Sequence, residues 1–221
     1  MTGGKLWTFK GKEVAEGFDS HVRGQLPFYS MVLDSIVSMA KNFLPENGAL
    51  ADLGCATGNF YSRAIEMIEE RNATYFGVDN SPEMLSVSSK QSASKSFCYD
   101  LNTCMDSEPF MKSDVFVLNL TYMFLNPKFR RDRLEEIMAA MPSHGAVILV
   151  DKCKEMEGYL SCVYRRMLWD FKSKASTLEE IVEKELSLRG VQIPERREVF
   201  IRMGFKEWFR YGDFSGFIYA K

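Results

Sequence analysis

The sequence predicts an α/β fold in which seven strands form one mostly parallel sheet that ends in an antiparallel hairpin. Three observations predict it. Short apolar runs alternate five times with helical patterns, which is the order of parallel strands joined by crossover helices. A glycine turn joins the first run to the helix after it. Two aromatic-rich runs separated by Gly212 and Asp213 close the chain, and such a pair indicates a hairpin.

The first strand and its turn hold the most informative residues of the chain. The apolar residues 48–51 lead into the stretch 52–60, and a helical pattern follows at 63–68. In the turn, Gly54 permits a tight bend and lets a ligand approach the backbone, while Gly58 relieves crowding where the helix begins. Strand, glycine turn and helix in this order predict a nucleotide-binding crossover.

The remaining elements follow in chain order. Strands are predicted at 73–79, 96–100, 114–120 and 145–150, with the hairpin at 205–211 and 216–220; helices are predicted at 127–140 and, broken near Gly190 and Pro194, from about 153 to 203. Another helix is predicted after Ser81, because a capping serine there precedes Pro82 and Glu83 at the first helical positions.

We expect a single domain over residues 1–221, because this length suits one large α/β unit. Within it, residues 1–47 are interpreted as an N-terminal helical lid and residues 48–152 as the cofactor-binding core. Residues 153–203 are interpreted as a helical cap around the substrate, and residues 204–221 as the terminal hairpin.

Composition argues against several kinds of partner. The hydrophobic fraction is 46%, the charged fraction 26% and the net charge −2, so no basic field draws the chain to nucleic acid or to an anionic membrane. No apolar stretch approaches the roughly 20 residues of a membrane span, and the N-terminus lacks a signal-peptide core. We therefore expect a small-molecule substrate, with no direct nucleic-acid partner and no membrane.

The cysteines indicate a reducing environment. Their number is odd and they show no paired close spacing, which argues against a disulfide framework and against a zinc site. They are Cys55, Cys98, Cys104, Cys153 and Cys162. We therefore expect no metal and a cytoplasmic location.

Polar residues follow four of the predicted strands. They are Asp52, Asp79, Asp100 and Asn119. Ligands of open α/β sheets lie beyond the carboxyl ends of the strands, so we expect these residues to converge on one crevice. The Asp79 carboxylate suits both hydroxyls of a ribose. Any one of these residues, taken alone, could equally well cap the helix that follows it. Four such residues at successive strand ends beside a glycine turn favour a nucleoside-binding site instead.

The glycine turn does not fit a dinucleotide. A G-x-G-x-x-G pattern requires glycine at positions 56 and 59, where the chain has Ala56 and Asn59. The D-L-G-x-x-x-G spacing from Asp52 to Gly58, the acid after the second strand and the terminal hairpin resemble the class I S-adenosylmethionine-dependent methyltransferases. The resemblance implies their Rossmann-like fold and an S-adenosylmethionine site.

A closer resemblance spans most of the chain and is to the carboxy-S-adenosylmethionine synthases. The segments that carry it are 52–55, 79–84, 117–121 and 124–127, with further similarity at 18–19, 27–30, 169–172 and 203–205. It implies that S-adenosylmethionine and prephenate yield carboxy-S-adenosylmethionine, which a partner enzyme uses to modify the wobble uridine of transfer RNA. It implies S-adenosylmethionine or carboxy-S-adenosylmethionine as the bound cofactor. It also makes the late helices candidates for a homodimer interface.

The resemblance, carried over position by position, implies contacts at the methionine end of the cofactor. Tyr29 closes over the methionine part, and Asn119 lies near the sulfonium. Gly54, Cys55 and Ala56 present their backbone to the amino-acid portion.

The same carry-over implies contacts at the nucleoside end. Asp79 takes the ribose hydroxyls, with Asn80 beside the adenine. Asp100 and Leu101 hold the adenine edge, the acid accepting from the exocyclic amine. Asp52, the first acid of the motif, completes the predicted cofactor-binding set.

One position departs from the family pattern. The synthases pair an arginine of the late helical region with the product carboxylate, a role that suits a bidentate cation. The best alignment puts Glu185 there, which would repel a carboxylate, and Arg189 follows one helical turn later. Either a gap is misplaced, or Arg189 compensates, or the chain has lost the carboxylating reaction.

Three functions therefore stay open: the synthase reaction, transfer of the methyl group itself to a small molecule, and cofactor binding without catalysis. The candidate catalytic residues are Tyr29, Asn119 and Arg189, and neither histidine of the chain is assigned a catalytic role. For a methyl acceptor, the aromatic side chains of Tyr122, Tyr164 and Trp169 could line a pocket, although core packing is the commoner role of such residues.

Overall fold

Seven β-strands and nine α-helices make up the parts of the chain that the structure, a computed structural model, describes: residues 8–88, 95–103, 107–154 and 158–221. The strands are β1 (Ala49–Leu53), β2 (Thr74–Asp79), β3 (Lys95–Cys98), β4 (Val115–Asn119), β5 (Ala146–Lys152), β6 (Lys206–Tyr211) and β7 (Phe214–Ala220). The helices are α1 (Lys12–Gln25), α2 (Tyr29–Phe43), α3 (Asn59–Glu70), α4 (Pro82–Ser88), α5 (Glu108–Lys112), α6 (Arg130–Ala140), α7 (Tyr159–Lys172), α8 (Leu178–Ser187) and α9 (Arg197–Arg202). A 3-10 turn spans Tyr122–Phe124.

The strands form one sheet in the order β3-β2-β1-β4-β5-β7-β6. Strands β1 to β5 pair in parallel, whereas β7 pairs antiparallel with both β5 and β6. The predicted seven-stranded, mostly parallel sheet with a terminal antiparallel hairpin is therefore confirmed. The chain runs from β1 to β2 and β3 on one side and continues through β4 and β5 on the other. The strand order reverses between β1 and β4, which is where α/β sheets of this kind hold ligands.

Both faces of the sheet are covered by helices. Along β1, Leu50 packs into a core shared with α2 and α3, whereas Ala51 and Leu53 pack into a second core shared with α6 and α9. All five residues of β1 are consequently buried. This two-sided burial explains why the strand reads as an apolar run rather than as an alternating pattern.

Local signals predicted several element boundaries correctly. The helix predicted after Ser81 is present as α4, and the Ser81 hydroxyl oxygen accepts a hydrogen bond from the N–H of Met84 at 3.3 Å. This contact confirms the N-terminal cap. Four boundaries differ by two residues or more: α6 begins at Arg130 rather than at 127, β3 ends at Cys98 rather than at 100, β5 ends at Lys152 rather than at 150, and β7 begins at Phe214 rather than at 216.

The region predicted to be helical from 153 onward begins as extended chain. Cys153 forms an isolated parallel bridge with Glu195, and its N–H donates to the carbonyl oxygen of Asp213 in the hairpin turn. These partners hold the residue beside the sheet, so the first helix starts only at Tyr159. The two predicted breaks are confirmed, because residues 188–196 separate α8 from α9.

Cys55, Cys98, Cys153 and Cys162 are free thiols, and Cys104 lies outside the described residues. Across the described ranges, no three His, Cys, Asp or Glu side chains are grouped as a metal ion would require. None of the helices found there is long and apolar enough to cross a membrane.

Candidate active site

A cavity of about 1010 Å³ lies at the carboxyl ends of β1, β2 and β4, and residues of α1, α7 and α8 line it on the other sides. All ten residues predicted to contact a cofactor line it, namely Tyr29, Asp52, Gly54, Cys55, Ala56, Asp79, Asn80, Asp100, Leu101 and Asn119. Arg189 lines it as well. Single small-molecule sites typically measure about 300–1,000 Å³, so this cavity has room for a nucleoside and a second small molecule.

The turn after β1 is built around Gly54. Its φ is +82°, and a Cβ at this position would overlap the side chain of Thr121. The N–H groups of Gly54 and Cys55 both donate to the carbonyl oxygen of Val78, at 2.7 and 3.0 Å. Since these donors are used within the fold, the turn is better suited to offer carbonyl oxygens to an ammonium group than N–H groups to a carboxylate.

Asp79 stands at the end of β2 and is held by two backbone donors. Its Oδ1 accepts the N–H of Ser81 at 2.9 Å, and its Oδ2 accepts the N–H of Ala56 at 3.0 Å. Burial raises the pKa of Asp79, and these backbone hydrogen bonds oppose the rise. Each carboxylate oxygen keeps a second lone pair, so the oriented group has the capacity to bind the two hydroxyls of a diol.

Asp52 lies deeper beside the same turn. It is 2% exposed, and its Oδ2 accepts a hydrogen bond from the hydroxyl of Tyr75 at 2.6 Å. Burial raises the pKa of Asp52 to about 7; the Tyr75 hydrogen bond acts against the rise, and the neighbouring Asp79 carboxylate adds to it. Two neighbouring acids give this end of the cavity a negative potential, which suits a cationic ligand group.

The edge of the cavity beyond β3 combines an acid with an apolar surface. Asp100 is exposed and Leu101 is buried. Asp100 Oδ1 accepts two hydrogen bonds from Asn102, from its N–H at 2.9 Å and from its side-chain Nδ2 at 2.8 Å. Asn102 in turn accepts the N–H of Asn126 at 2.8 Å, which anchors this loop beside the segment that follows β4. Asn80, also exposed, lines the same cavity.

Asn119 ends β4 with a side-chain oxygen that is shielded from solvent and has no hydrogen-bond partner in the described part of the chain. Buried amide oxygens are rarely left without a donor or a positive charge nearby. An oxygen of this kind on the lining of a ligand cavity fits a cofactor that brings a positive centre, as a sulfonium does. Together with the acids at the ends of β1 and β2, it makes the cavity fit S-adenosylmethionine.

Polar contacts tie α1 to the glycine turn. Asp19 accepts hydrogen bonds from the Thr57 hydroxyl and, at 2.7 Å, from Asn59 Nδ2. Arg23 donates to Asn59 Oδ1 at 3.4 Å, and its guanidinium lies 5.6 Å from the ring centre of Tyr29. Tyr29 is buried, which raises the pKa of its hydroxyl and keeps it protonated. These contacts were not predictable from the sequence, because no local pattern pairs Asp19 with Thr57.

Glu185 is paired within the protein. Its Oε1 accepts hydrogen bonds from Trp169 Nε1 at 2.8 Å and from Lys172 Nζ at 3.0 Å. Lys172 is buried, so its charge offsets that of Glu185 between α7 and α8. The repulsion expected from an isolated glutamate is reduced accordingly. This pairing was not predictable from a local pattern, because Lys172 lies on α7 and Glu185 on α8.

Arg189 does not lie on a helix. The helix α8 ends at Ser187, and Arg189 forms an isolated bridge with Gln192 in the turn that follows. The prediction that Arg189 lies one helical turn beyond Glu185 is therefore wrong, because the helix has already ended. The residue is exposed and contributes to the lining of the cavity.

A histidine to which no catalytic role was assigned meets a lysine where α1 and α8 line the cavity. His21 Nε2 and Lys184 Nζ are 2.6 Å apart. Burial, followed by the charge of nearby lysines, lowers the pKa of His21 to about 4 and that of Lys184 to about 7. The sequence did hold a signal: Phe18, His21 and Gln25 recur at helical spacing, and all three line the cavity.

The three aromatic residues considered for an acceptor pocket divide into two groups. Tyr164 and Trp169 line the cavity. Tyr122 is buried in the core, where its ring centre lies 5.2 Å from that of Phe200.

Comparison with known proteins gives the class of the chain. A family model described as "Methyltransferase domain" matches residues 45–185. Solved structures with a similar fold include the plantazolicin methyltransferase BpumL in complex with a desmethyl analog and SAH, at a TM-score of 0.60 and 15% identity over 86% of this chain and 68% of that chain. The DhpI-SAM-HEP complex matches with a TM-score of 0.60 and 15% identity over 94% and 92% of the two chains. At such identities the likeness concerns the fold alone.

The fold, the cavity and the family model define a protein of the methyltransferase-domain class. Relatives named carboxy-S-adenosyl-L-methionine synthase match over nearly the full length. The protein from Staphylococcus epidermidis is 29% identical over 223 residues, 97% of each chain, and that from Campylobacter jejuni is 31% identical, over 95% of this chain and 92% of the relative. The chain belongs to the carboxy-S-adenosyl-L-methionine synthase family, a branch of the S-adenosylmethionine-dependent transferases.

Proposed function

We propose that the protein binds S-adenosylmethionine in the cavity and converts it, with prephenate, into carboxy-S-adenosylmethionine. In the proposed step prephenate loses carbon dioxide and hydroxide as its ring becomes aromatic, the hydroxide takes a proton from the activated methyl group to give water, and the methyl carbanion bonds to the carbon dioxide. One observation carries the proposal: in a chain of this family, all ten predicted cofactor contacts line a single cavity. The product is proposed to serve a partner enzyme that modifies the wobble uridine of transfer RNA. The proposed location is the cytoplasm, which the four free cysteines support.

At the nucleoside end, Asp79 is proposed to bind the ribose hydroxyls, because both of its oxygens are oriented by backbone donors and keep free lone pairs. Asn80 lies beside the base in this proposal. Asp100 accepts from the exocyclic amine of adenine, and the buried Leu101 supplies apolar surface against the ring. Residues 48–152 thus act as the cofactor-binding core, and 204–221 complete its sheet.

At the methionine end, the carbonyl oxygens of the turn at Gly54, Cys55 and Ala56 are proposed to bind the ammonium group, because the neighbouring N–H groups are used within the fold. S-adenosylmethionine supplies a carbon that its sulfonium activates. In this proposal the side-chain oxygen of Asn119 lies near the sulfonium, and the ring of Tyr29 covers this part of the cavity and excludes water.

Burial keeps the Tyr29 hydroxyl protonated, so it positions and donates rather than removing a proton. The main contribution of the site is proximity and orientation. Residues 1–47 serve as the lid and residues 153–203 as the cap in this proposal.

A direct assay tests the proposed function. Purified protein is denatured and the released nucleoside is identified by mass; fresh protein is then incubated with S-adenosylmethionine, with and without prephenate. We expect carboxy-S-adenosylmethionine to form only when both are present. Protein that binds S-adenosylmethionine but yields no carboxylated product with prephenate would contradict the proposal.

A second candidate is transfer of the methyl group to a small-molecule acceptor. The specific observation that favours it is the acid at Glu185, at the position where the resemblance to the synthases implies an arginine. Tyr164 and Trp169 add aromatic surface to the cavity for such an acceptor. In this case prephenate is not consumed, and demethylated cofactor accumulates when an acceptor is supplied.

We also propose that the protein forms a homodimer through its cap. On α7, Tyr159, Val163 and Met167 recur every four residues and are exposed by 82%, 41% and 39%. An exposed apolar stripe on one helix face supports an interface. Light scattering is expected to give twice the chain mass of 25.4 kDa for the wild type and the monomer mass for a Val163→Glu, Met167→Glu variant. A monomeric wild type would contradict this proposal.

A further inference from the structure

The end of β5 carries a lysine beside the proposed reacting centre. We propose that Lys152 binds the carboxylate that the proposed reaction adds to the cofactor, in place of the arginine that the resemblance to the synthases implies on α8. The inference rests on the proposed function, because that reaction creates the carboxylate. It places the anion-binding group of this chain on the sheet rather than on the helical cap.

Lys152 lies on the same face of the sheet as Asp52 and Asn119, and all three residues line the cavity. Side chains alternate between the two faces along a strand, so residues two positions apart share a face. The residues two positions earlier all pack into the core shared with α2 and α3: they are Leu50, Val117 and Val150. The neighbouring strands β1, β4 and β5 therefore end in an acid, an amide and an ammonium, in that order across the sheet.

The register of β4 and β5 brings Lys152 close to Asn119. Asn119 pairs with Val150, so Lys152 lies two residues further along the neighbouring strand. With about 4.8 Å between strands and about 3.3 Å per residue, the Cα atoms of Asn119 and Lys152 are about 8 Å apart. The side chain of lysine is a flexible four-carbon stem with three donors. Since Asn119 is proposed to lie near the sulfonium, a carboxylate on the carbon attached to that sulfur is within reach of this ammonium.

Most of the other cations at the cavity are already used within the protein. Among the described residues, five lysine and arginine side chains line it: Lys152, Arg165, Lys172, Lys184 and Arg189. Lys172 is buried and its Nζ lies 3.0 Å from Glu185. Arg165 and Lys184 also interact with other groups of the protein.

Lys152 and Arg189 are left without a side-chain partner in the described part of the chain, and Lys152 is the better placed of the two. Arg189 is exposed in the turn that follows α8. Lys152 is half-buried and held by the pairing of β5 with β7. A carboxylate gains more from a cation that is partly shielded from water, because the effective dielectric constant is lower there.

The adjacent acid does not neutralise Lys152. Asp151 is 0% exposed and its side chain is on the opposite face of the sheet, since side chains alternate along β5. Its Oδ1 accepts the backbone N–H of Lys152 at 3.0 Å. Burial raises the pKa of Asp151 to about 8, so this carboxyl is mainly protonated near pH 7. The ammonium of Lys152 thus keeps its charge for a ligand.

Calorimetry with two probes tests the inference: S-adenosylmethionine, and carboxy-S-adenosylmethionine, which differs by the added carboxylate. We expect the wild type to prefer the carboxylated probe. Lys152→Met should lose about 10- to 100-fold of its affinity for that probe and bind S-adenosylmethionine as the wild type does. Lys152→Arg, which keeps a cation, should retain most of the preference. The matched control is Lys206→Met, at an exposed position on β6, which should change neither affinity.

Unchanged binding of S-adenosylmethionine shows that a variant is folded. If Lys152→Met does not fold, Lys152→Gln replaces it, because glutamine removes the charge but keeps a polar end, and the same loss is expected. A folded, uncharged Lys152 variant with the wild-type preference would overturn the assignment, and loss of the preference in Arg189→Met would then place the carboxylate at the turn after α8. The proposed function would stand in that case. A wild type that forms no product from prephenate would overturn the proposed function, and this inference with it.

Discussion

The Oδ2 atom of Asp79 accepts the backbone N–H of Ala56 at 3.0 Å. The acid that ends β2 therefore supports the glycine turn that follows β1, and the two main parts of the predicted cofactor site form one connected unit. A change at Asp79 removes both the proposed ribose partner and a support of the turn.

Replacing Asp79 by alanine is expected to weaken S-adenosylmethionine binding at least about 100-fold, because two charge-assisted hydrogen bonds to the ligand are lost. Asp79→Asn keeps one acceptor oxygen and should lose about tenfold. Calorimetry with S-adenosylmethionine measures both effects. Undiminished affinity in the alanine variant would mean that the nucleoside binds elsewhere.

Gly54→Ala is expected to destabilise the fold by about 1–3 kcal/mol, because the added Cβ overlaps Thr121 and the backbone has a positive φ of +82°. The matched control is Gly17→Ala on α1, where a Cβ would meet nothing within 4 Å and helix propensity favours alanine. Urea unfolding measures both variants. Equal stability of the two proteins would show that the turn relaxes around the methyl group.

The fold was predictable because its signals are local. The strands β1, β2, β4 and β5 of the parallel sheet are short, largely apolar runs, and the cap at Ser81 is encoded within four residues. The acids after β1, β2 and β3 could be placed in one crevice because topology alone brings the strand ends together.

The charge balance of the cavity was not predictable in the same way. Lys172 reaches Glu185 from another helix, and Lys184 meets His21 across 163 positions of the chain. Arg189 was misplaced because the end of α8 at Ser187 has no strong stop signal before Gly190. Such pairings depend on how the helices pack against one another, and a single sequence without homologues does not reveal that packing.

Asp19→Ala is expected to loosen α1 from the glycine turn, because the carboxylate accepts from both Thr57 and Asn59. The loss of two hydrogen bonds to a charged group should weaken S-adenosylmethionine binding about 5- to 10-fold and speed proteolysis within α1. Ser20→Ala, at an exposed position on the same helix, is the control and should change neither. Unaltered proteolysis and affinity in Asp19→Ala would show that α1 docks through apolar contacts alone.

The buried carboxyl of Asp151 is expected to make the stability of the protein depend on pH. The residue is 0% exposed at the end of β5; its Oδ1 accepts the N–H of Lys152 at 3.0 Å, and its Oδ2 has no partner among the described residues. Burial raises the pKa of Asp151 to about 8, against about 3.9 for an aspartate in the unfolded chain. The folded state thus holds this proton more tightly than the unfolded state does. The stabilisation that results from this tighter proton binding is fully present below about pH 4 and is lost as the pH rises toward about 8.

Asp151→Asn cannot ionise and keeps an oxygen for the Lys152 N–H, so it should escape this loss. Relative to the wild type, its free energy of unfolding should rise between about pH 5 and pH 8, by an amount on the order of several kcal/mol. Urea unfolding at both pH values measures the change. Asp170→Asn, at an exposed position on α7, is the matched control for removal of a carboxyl charge and is measured in the same way. If the Asp151→Asn and wild-type profiles run parallel, the buried carboxyl gains its proton no more readily than in the unfolded chain, and burial at the end of β5 is not what governs its charge.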